Sequence, residues 1–237
     1  MCGRFNITES PALRALLTEL SIDLDPLPVR FNIAPTESVL TIYQSQGINH
    51  IADMRWWLTP SWSDGPSQKF AMFNARSETI TTSRAYRAPF QRQRAIIPAS
   101  AFIEWQRNTS GKQAYEISST NNALVFAGIW DHWEGKNPKT GEQAIIDSCA
   151  IVTCQATPEF AAIHSRQPVL LNSNEIPRWL DNETDSETLK QLMTPKLPTS
   201  LHAKPIDKSV GNARNKAATQ LVTDAPEISI KPKHLRQ

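Results

Sequence analysis

The sequence predicts a mixed α+β fold, a single domain built on a curved, barrel-like mixed or antiparallel sheet with short helices at its flanks. Three observations lead there. Runs rich in β-branched and aromatic residues outnumber runs with helical periodicity, and the two kinds do not alternate, which argues against a doubly wound parallel sheet. A chain of 237 residues, 40% hydrophobic, has material for one substantial core.

Taken in order, Ser10-Pro11 opens a helix, with a hydroxyl at the N-cap and proline in the first turn. Leu13, Leu16, Leu17 and Leu20 follow at helical spacing. Strands are expected over 39–43, 50–58, 95–97, 102–105, 114–117, 124–130 and 144–153, where β-branched and aromatic residues concentrate. Thr157-Pro158-Glu159 is expected to cap a short helix leading to Ile163-His164, and 168–171 to return to strand. Residues 176–180 and 186–193 read as helices, the second with leucines at helical spacing. The domain is expected over 2–225. The stretch 226–237, basic and broken by prolines, reads as a frayed, flexible tail.

Lys+Arg 25 against Asp+Glu 23 leaves a net charge of +2, so a nucleic-acid contact has to come from local clustering of arginines. Pro 17 against Gly 8 implies stiff turns and few left-handed positions. The start, Met1-Cys2-Gly3-Arg4, does not read as a secretory signal, and no apolar run approaches the roughly 20 residues of a membrane span. Three cysteines, Cys2, Cys149 and Cys154, form neither a disulfide framework nor a zinc spacing, which fits a reducing cytoplasm. Cys149 and Cys154 bracket an expected strand on opposite faces, and the 5 histidines show no ligand spacing, so no metal and no cofactor are expected.

The chemistry concentrates at the amino terminus. Cysteine at position two is small enough for removal of Met1, which leaves Cys2 as a 1,2-aminothiol. An α-amine with a pKa of about 7.7–8.0 and a thiol of about 8.5 are both partly nucleophilic near neutrality. With an aldehyde, the amine forms a Schiff base and the neighbouring sulfur closes a five-membered thiazolidine, with no second encounter needed. Cysteine at this position also occurs by chance, and inert buried cysteines are common. Its reading therefore depends on three further segments. These are Asn74-Ala75-Arg76-Ser77-Glu78-Thr79, a polar run after an apolar one; Pro98-Ala99-Ser100-Ala101-Phe102-Ile103-Glu104-Trp105, with one acid ending an apolar strand; and Ile163-His164-Ser165-Arg166-Gln167-Pro168.

With Met1-Cys2-Gly3-Arg4 and Phe31-Asn32-Ile33-Ala34-Pro35-Thr36, these segments resemble the SOS-response-associated peptidase family of abasic-site processing proteins, over Cys2 to about Asn212. The resemblance implies a single α+β domain that crosslinks to abasic sites in single-stranded DNA through its amino-terminal cysteine and shields the lesion. It implies that Cys2 supplies both nucleophiles, that Asn74 holds the reacting group, and that Glu104 and His164 move protons. Those roles suit the residue types. Alone, Glu104 reads as a strand-end acid and His164 as a helix-terminal histidine bonded to backbone.

Arg4, Arg76 and Arg166 lie within two residues of these positions and are expected to grip flanking phosphates. Trp62 and Trp105 are expected to stack on neighbouring bases, while Trp56, Trp57, Trp130 and Trp133 read as core or wall aromatics. The segment 205–212 resembles the family's closing segment. The chain departs from the family pattern at Trp57, where glycine is common, and at Ile103 and Gln167. Two other readings stay open: a thiol peptidase, including self-processing, using Cys2, His164 and Glu104, and a non-covalent single-strand binding module. A cytoplasmic monomer with no membrane partner is expected.

Overall fold

The computed structural model of the protein describes residues 2–67, 69–108, 111–138, 140–223 and 225–233. Its elements run β1 (Phe5–Ile7), α1 (Pro11–Glu19), β2 (Arg30–Ile33), β3 (Ser38–Ser45), β4 (Ile48–Arg55), β5 (Asn74–Arg76), α2 (Arg87–Arg92), β6 (Arg94–Ala99) and β7 (Ala101–Asn108). They continue with β8 (Gly111–Ser119), β9 (Leu124–Lys136), β10 (Gln143–Gln155), β11 (Arg166–Pro168), α3 (Ile176–Leu180), α4 (Ser186–Leu192), β12 (Leu201–Ile206) and β13 (Ile228–Ile230).

Strands β3, β4, β6, β9 and β10 close a barrel. Antiparallel pairings join β4 to β3, β3 to β6, β6 to β9 and β9 to β10, and a parallel pair at Ser148 and Arg55 returns β10 to β4. Gln46 and Gly47, both at positive φ (+52° and +75°), make the tight turn between β3 and β4, where the two strands must cross with right-handed twist. A second sheet runs β13-β12-β8-β7-β1-β2. Between the two sheets lies an aromatic chain: Phe5 meets Trp56 and Phe126 edge-on (5.1 and 5.8 Å), and Phe102 meets Phe126 and Phe160 (6.0 and 5.9 Å). Each such pair adds about 0.5–1.5 kcal/mol beyond its buried area. This chain joins the first residues, β7 and the turn at 158–163 to the barrel, and so fixes the site described below.

Ser10 caps α1 as expected, its hydroxyl accepting from the Leu13 N–H at 3.2 Å, and Leu13, Leu16 and Leu17 are buried. Buried Arg94 ties α2 and α3 to the barrel by donating to the carbonyls of Phe90, Gln91, Trp179 and Asp181. Four sequence expectations need correction. The strand expected over 50–58 ends at Arg55, because the Trp57 N–H turns back onto the Arg55 carbonyl (2.8 Å). Thr157-Pro158-Glu159 opens a series of turns rather than a helix, the Thr157 N–H being taken by the Gln167 side chain (2.9 Å). The strand expected to begin at 168 begins at Arg166. Within the supposed tail, Ile228–Ile230 adds an edge strand to β12 and buries Ile230, whose apolar side chain finds the sheet's end uncovered; residues 234–237 lie outside the described residues.

No helix among the described residues is long and apolar enough to cross a membrane. No cluster of three or more His, Cys, Asp or Glu among them is placed to hold a metal ion.

Candidate functional site

Cys2, Asn74, Glu104 and His164 stand far apart in the chain and are brought to one place by three strand pairings. β1 runs antiparallel to β7 with Phe5 opposite Phe102, and the Ile103 N–H donates to the Arg4 carbonyl (2.9 Å). Continuing that register sets Gly3 beside Glu104. β5 lies parallel to β10, with Asn74 opposite Ile151, and β11 pairs with β10 antiparallel, with Arg166 opposite Gln155. β10 therefore carries Asn74 on one side and the His164-Ser165-Arg166 entry to β11 on the other. Stacking of Phe160 on Phe102, and a bond from the Gln106 side chain to the Ala162 carbonyl (2.8 Å), press the turn before His164 against β7.

Within this junction Cys2 is fully buried, and the Asn74 side-chain N–H donates to its carbonyl at 2.9 Å. Asn74, 8% exposed, keeps its Oδ1 without a hydrogen-bond partner among the described residues. Its backbone is held from the other side, the Tyr86 hydroxyl donating to the Asn74 carbonyl (3.3 Å). Glu104 is buried. Burial raises its carboxyl above the usual carboxylate range, while the neighbouring His164 favours the charged form. Burial also pushes the Cys2 thiol well above its ordinary range, the Glu104 charge adds in the same direction, and the Arg4 backbone N–H opposes both. The site thus holds a protonated thiol beside a carboxyl that keeps its proton longer than a surface acid would.

His164 is oriented by backbone. Its Nδ1 lies 3.0 Å from the Arg166 backbone nitrogen and 3.1 Å from the Arg166 carbonyl oxygen, so one residue's main chain fixes the ring whichever nitrogen carries the proton. The Arg166 guanidinium is itself engaged. It forms a two-pronged pair with Glu78 (3.0 Å on each prong) and donates to the Thr153 carbonyl (2.8 Å). This arginine, expected to grip phosphate, is thereby built into the wall that sets His164.

Arg4 is half-buried and bonds the Gly3 carbonyl (2.9 Å), with its Nε buried and unpartnered among the described residues; burial lowers its pKa. Arg76 is exposed at the end of β5. Trp62 is 50% exposed on the loop between β4 and β5. Trp105 packs with Ile103, Ala114, Ile206 and Val210, which places it on the face of β7 opposite Glu104, beneath the 205–212 segment. That segment is clamped from below. Asn32, buried at φ +48°, directs its side-chain N–H groups at the carbonyls of Val210, Asn212 and Asn215 (3.0, 2.9 and 3.0 Å). The sequence reading did not single out Thr153, Tyr86 or Arg84, and it quoted Glu78 only within the Asn74–Thr79 run, with no role of its own. Glu78 and Arg84 were visible as charges in the motif's neighbourhood, but their partners lie across the fold.

The family model "SOS response associated peptidase (SRAP)" matches residues 1–213. The chain is 30% identical over 228 residues to abasic site processing protein YoaM of Bacillus subtilis, covering 93% of this chain and 97% of the relative. It is equally 30% identical over 228 residues to abasic site processing protein YedK of Escherichia coli, covering 92% and 97%. A crystal structure of a protein from Bacteroides thetaiotaomicron superposes with a TM-score of 0.72 at 22% identity, covering 88% of this chain and 93% of that one. With nearly its whole length matched by both the family model and these relatives, the chain belongs to the SOS response associated peptidase family.

Proposed function

We propose that the protein is a covalent sensor of abasic sites in single-stranded DNA, working through Cys2 after Met1 has been removed. The names of its relatives support processing of abasic sites, and the site supplies a chemistry for it. The observation that carries the reading is the bond from the Asn74 side chain to the Cys2 carbonyl, which anchors the first mature residue beside Glu104.

The amine of Cys2 adds to the aldehyde carbon of the opened sugar, forming a carbon–nitrogen bond and a carbinolamine. Glu104, whose carboxyl burial holds in the protonated form, protonates the departing hydroxyl, and water leaves to give the protonated imine and the Glu104 carboxylate. The thiol then gives up its proton to the Glu104 carboxylate, sulfur bonds to the imine carbon, and nitrogen ends with one hydrogen. The sum is aldehyde plus aminothiol giving thiazolidine plus water, with no change of oxidation state. His164, its ring held by the Arg166 main chain, exchanges a proton with the sugar oxygen during ring opening.

A peptidase using the Cys2 thiolate would need a depressed thiol pKa, and here burial raises it, so the amine leads. The test is to mix the mature chain with a single strand carrying one abasic site, denature, and look for a shifted protein–DNA band. The band is expected with the wild-type chain and not with Cys2→Ala. Its persistence in Cys2→Ala would refute the proposal.

A further inference from the structure

One face of β7 presents Phe102, Glu104 and Gln106 in succession, because strand alternation sends Ile103 and Trp105 to the other side. Two of the three grip the run of turns at 158–163 that leads into His164. Phe102 stacks on Phe160, with 5.9 Å between ring centroids and 25° between planes. The Gln106 side-chain N–H donates to the Ala162 carbonyl at 2.8 Å. Between these two contacts lies buried Glu104, close enough to His164 to respond to its charge. The Gln106 bond thus joins a residue two positions after Glu104 to one two positions before His164.

The turns are wound tightly enough to carry a constraint along their length. The Ala161 N–H donates to the Thr157 carbonyl and the Ile163 N–H to the Phe160 carbonyl (both 2.9 Å), and the His164 N–H reaches the Phe160 carbonyl at 3.4 Å, which sets His164 one helical turn beyond Phe160. Buried Gln167 fixes the entry, its Oε1 accepting from the Thr157 N–H (2.9 Å) while its Nε2 donates to the Lys196 carbonyl (2.8 Å). A bond from the Ala156 N–H to the Ser165 carbonyl (3.0 Å) closes the exit. These bonds shape the turns, but none of them reaches β7. The separation from β7 falls to the Phe102–Phe160 stack, which tolerates sliding in the ring plane, and to the Gln106 bond, which is directional and does not.

We propose that Gln106 is a positioning residue: its amide holds the turn before His164 at a fixed separation from Glu104, so that the two proton-transferring groups address one and the same sugar. Gln106 acts through His164 and takes no proton itself, since an amide does not titrate. It is half-buried at the rim, so the core does not depend on it. This inference rests on the roles given to Glu104 and His164 under the proposed function.

The test uses the full chain lacking Met1, with Gln106→Met, which keeps the length of the side chain and removes the donor, and Gln106→Lys, which restores a donor. In the free protein the imidazole carbon–proton resonance of His164 is identified by its absence from His164→Ala. It is expected to shift in Gln106→Met and to return towards the wild-type position in Gln106→Lys, with the resonances of His50, His132 and His202 unmoved. In single-turnover crosslinking to an abasic strand, Gln106→Met is expected to lower the limiting rate about 2- to 13-fold, the range for loss of one hydrogen bond, at unchanged half-saturation. Gln106→Lys should recover that rate, and in a His164→Ala background Gln106→Met should lower it no further. A His164 resonance unmoved in Gln106→Met, or an equal loss of rate with and without His164, would overturn the proposal. Failure of the crosslinking reading shows separately, as the absence of a denaturation-resistant band with the wild-type chain, while the imidazole resonance is still read in the free protein.

Discussion

Asn74→Ala removes the donor that holds the Cys2 carbonyl at 2.9 Å. Both residues are buried, so water does not replace the bond, and the cost is that of an unpaired buried carbonyl, about 1–3 kcal/mol. If that energy is what keeps the aminothiol seated beside Glu104, its loss lowers the seated population, and with it the rate, by about 5- to 150-fold. In the proposed function other residues grip the strand, so its affinity is expected to hardly change. The assay is single-turnover crosslinking to an abasic strand over a range of DNA concentrations, quenched into denaturant. The account predicts a lower limiting rate at unchanged half-saturation. Asn74→Asp should be worse than alanine, because it places a second carboxylate near Glu104 and has no donor for the carbonyl. A wild-type limiting rate in Asn74→Ala, or a loss confined to half-saturation, would refute the reasoning.

Glu104→Gln should trade activity for stability. Because burial raises the folded-state pKa, stability from this group is fully present below the unfolded carboxylate pKa of about 4.3 and is lost as pH rises through the folded value. Calorimetry between about pH 4 and 8 should therefore show glutamine gaining on wild type as pH rises, by about 1–2 kcal/mol or a few degrees near neutrality, while crosslinking slows. Glu78→Ala separates two roles for Arg166. If the fork sets His164, crosslinking slows at unchanged DNA affinity, whereas a phosphate clamp released from its acid would bind DNA more tightly. Asn32→Gly tolerates φ +48° yet removes three bonds to the 210–215 carbonyls, so limited proteolysis should cut near that segment faster than in wild type.

The long elements were legible because their side chains carry the pattern. Ser10-Pro11 with four leucines specified α1, and the β-branched runs specified the barrel strands. The three-residue strands Phe5–Ile7, Asn74–Arg76 and Ile228–Ile230 were not, since each is a strand only through its partner. α2 carries little apolar periodicity and is held by Arg94 and the burial of Phe90. At the site, the residue types of Cys2, Asn74, Glu104 and His164 could be read from motifs. Their convergence depends on the Phe5–Phe126–Phe102–Phe160 chain, and the engagement of Arg166 by Glu78 spans 88 positions. Neither is a local property of sequence. Trp105 shows the same limit in reverse. It is adjacent to Glu104 in sequence, and strand alternation sends it to the other face.

The central claim is that nitrogen and sulfur of one residue capture one sugar carbon. Intact-mass measurement of the adduct, before and after borohydride treatment, tests it most directly. The account predicts the mass of the chain lacking Met1 plus the strand less one water, unchanged by borohydride because a thiazolidine has no imine to reduce. An adduct that retains Met1, or one that gains two hydrogens on reduction, would contradict it.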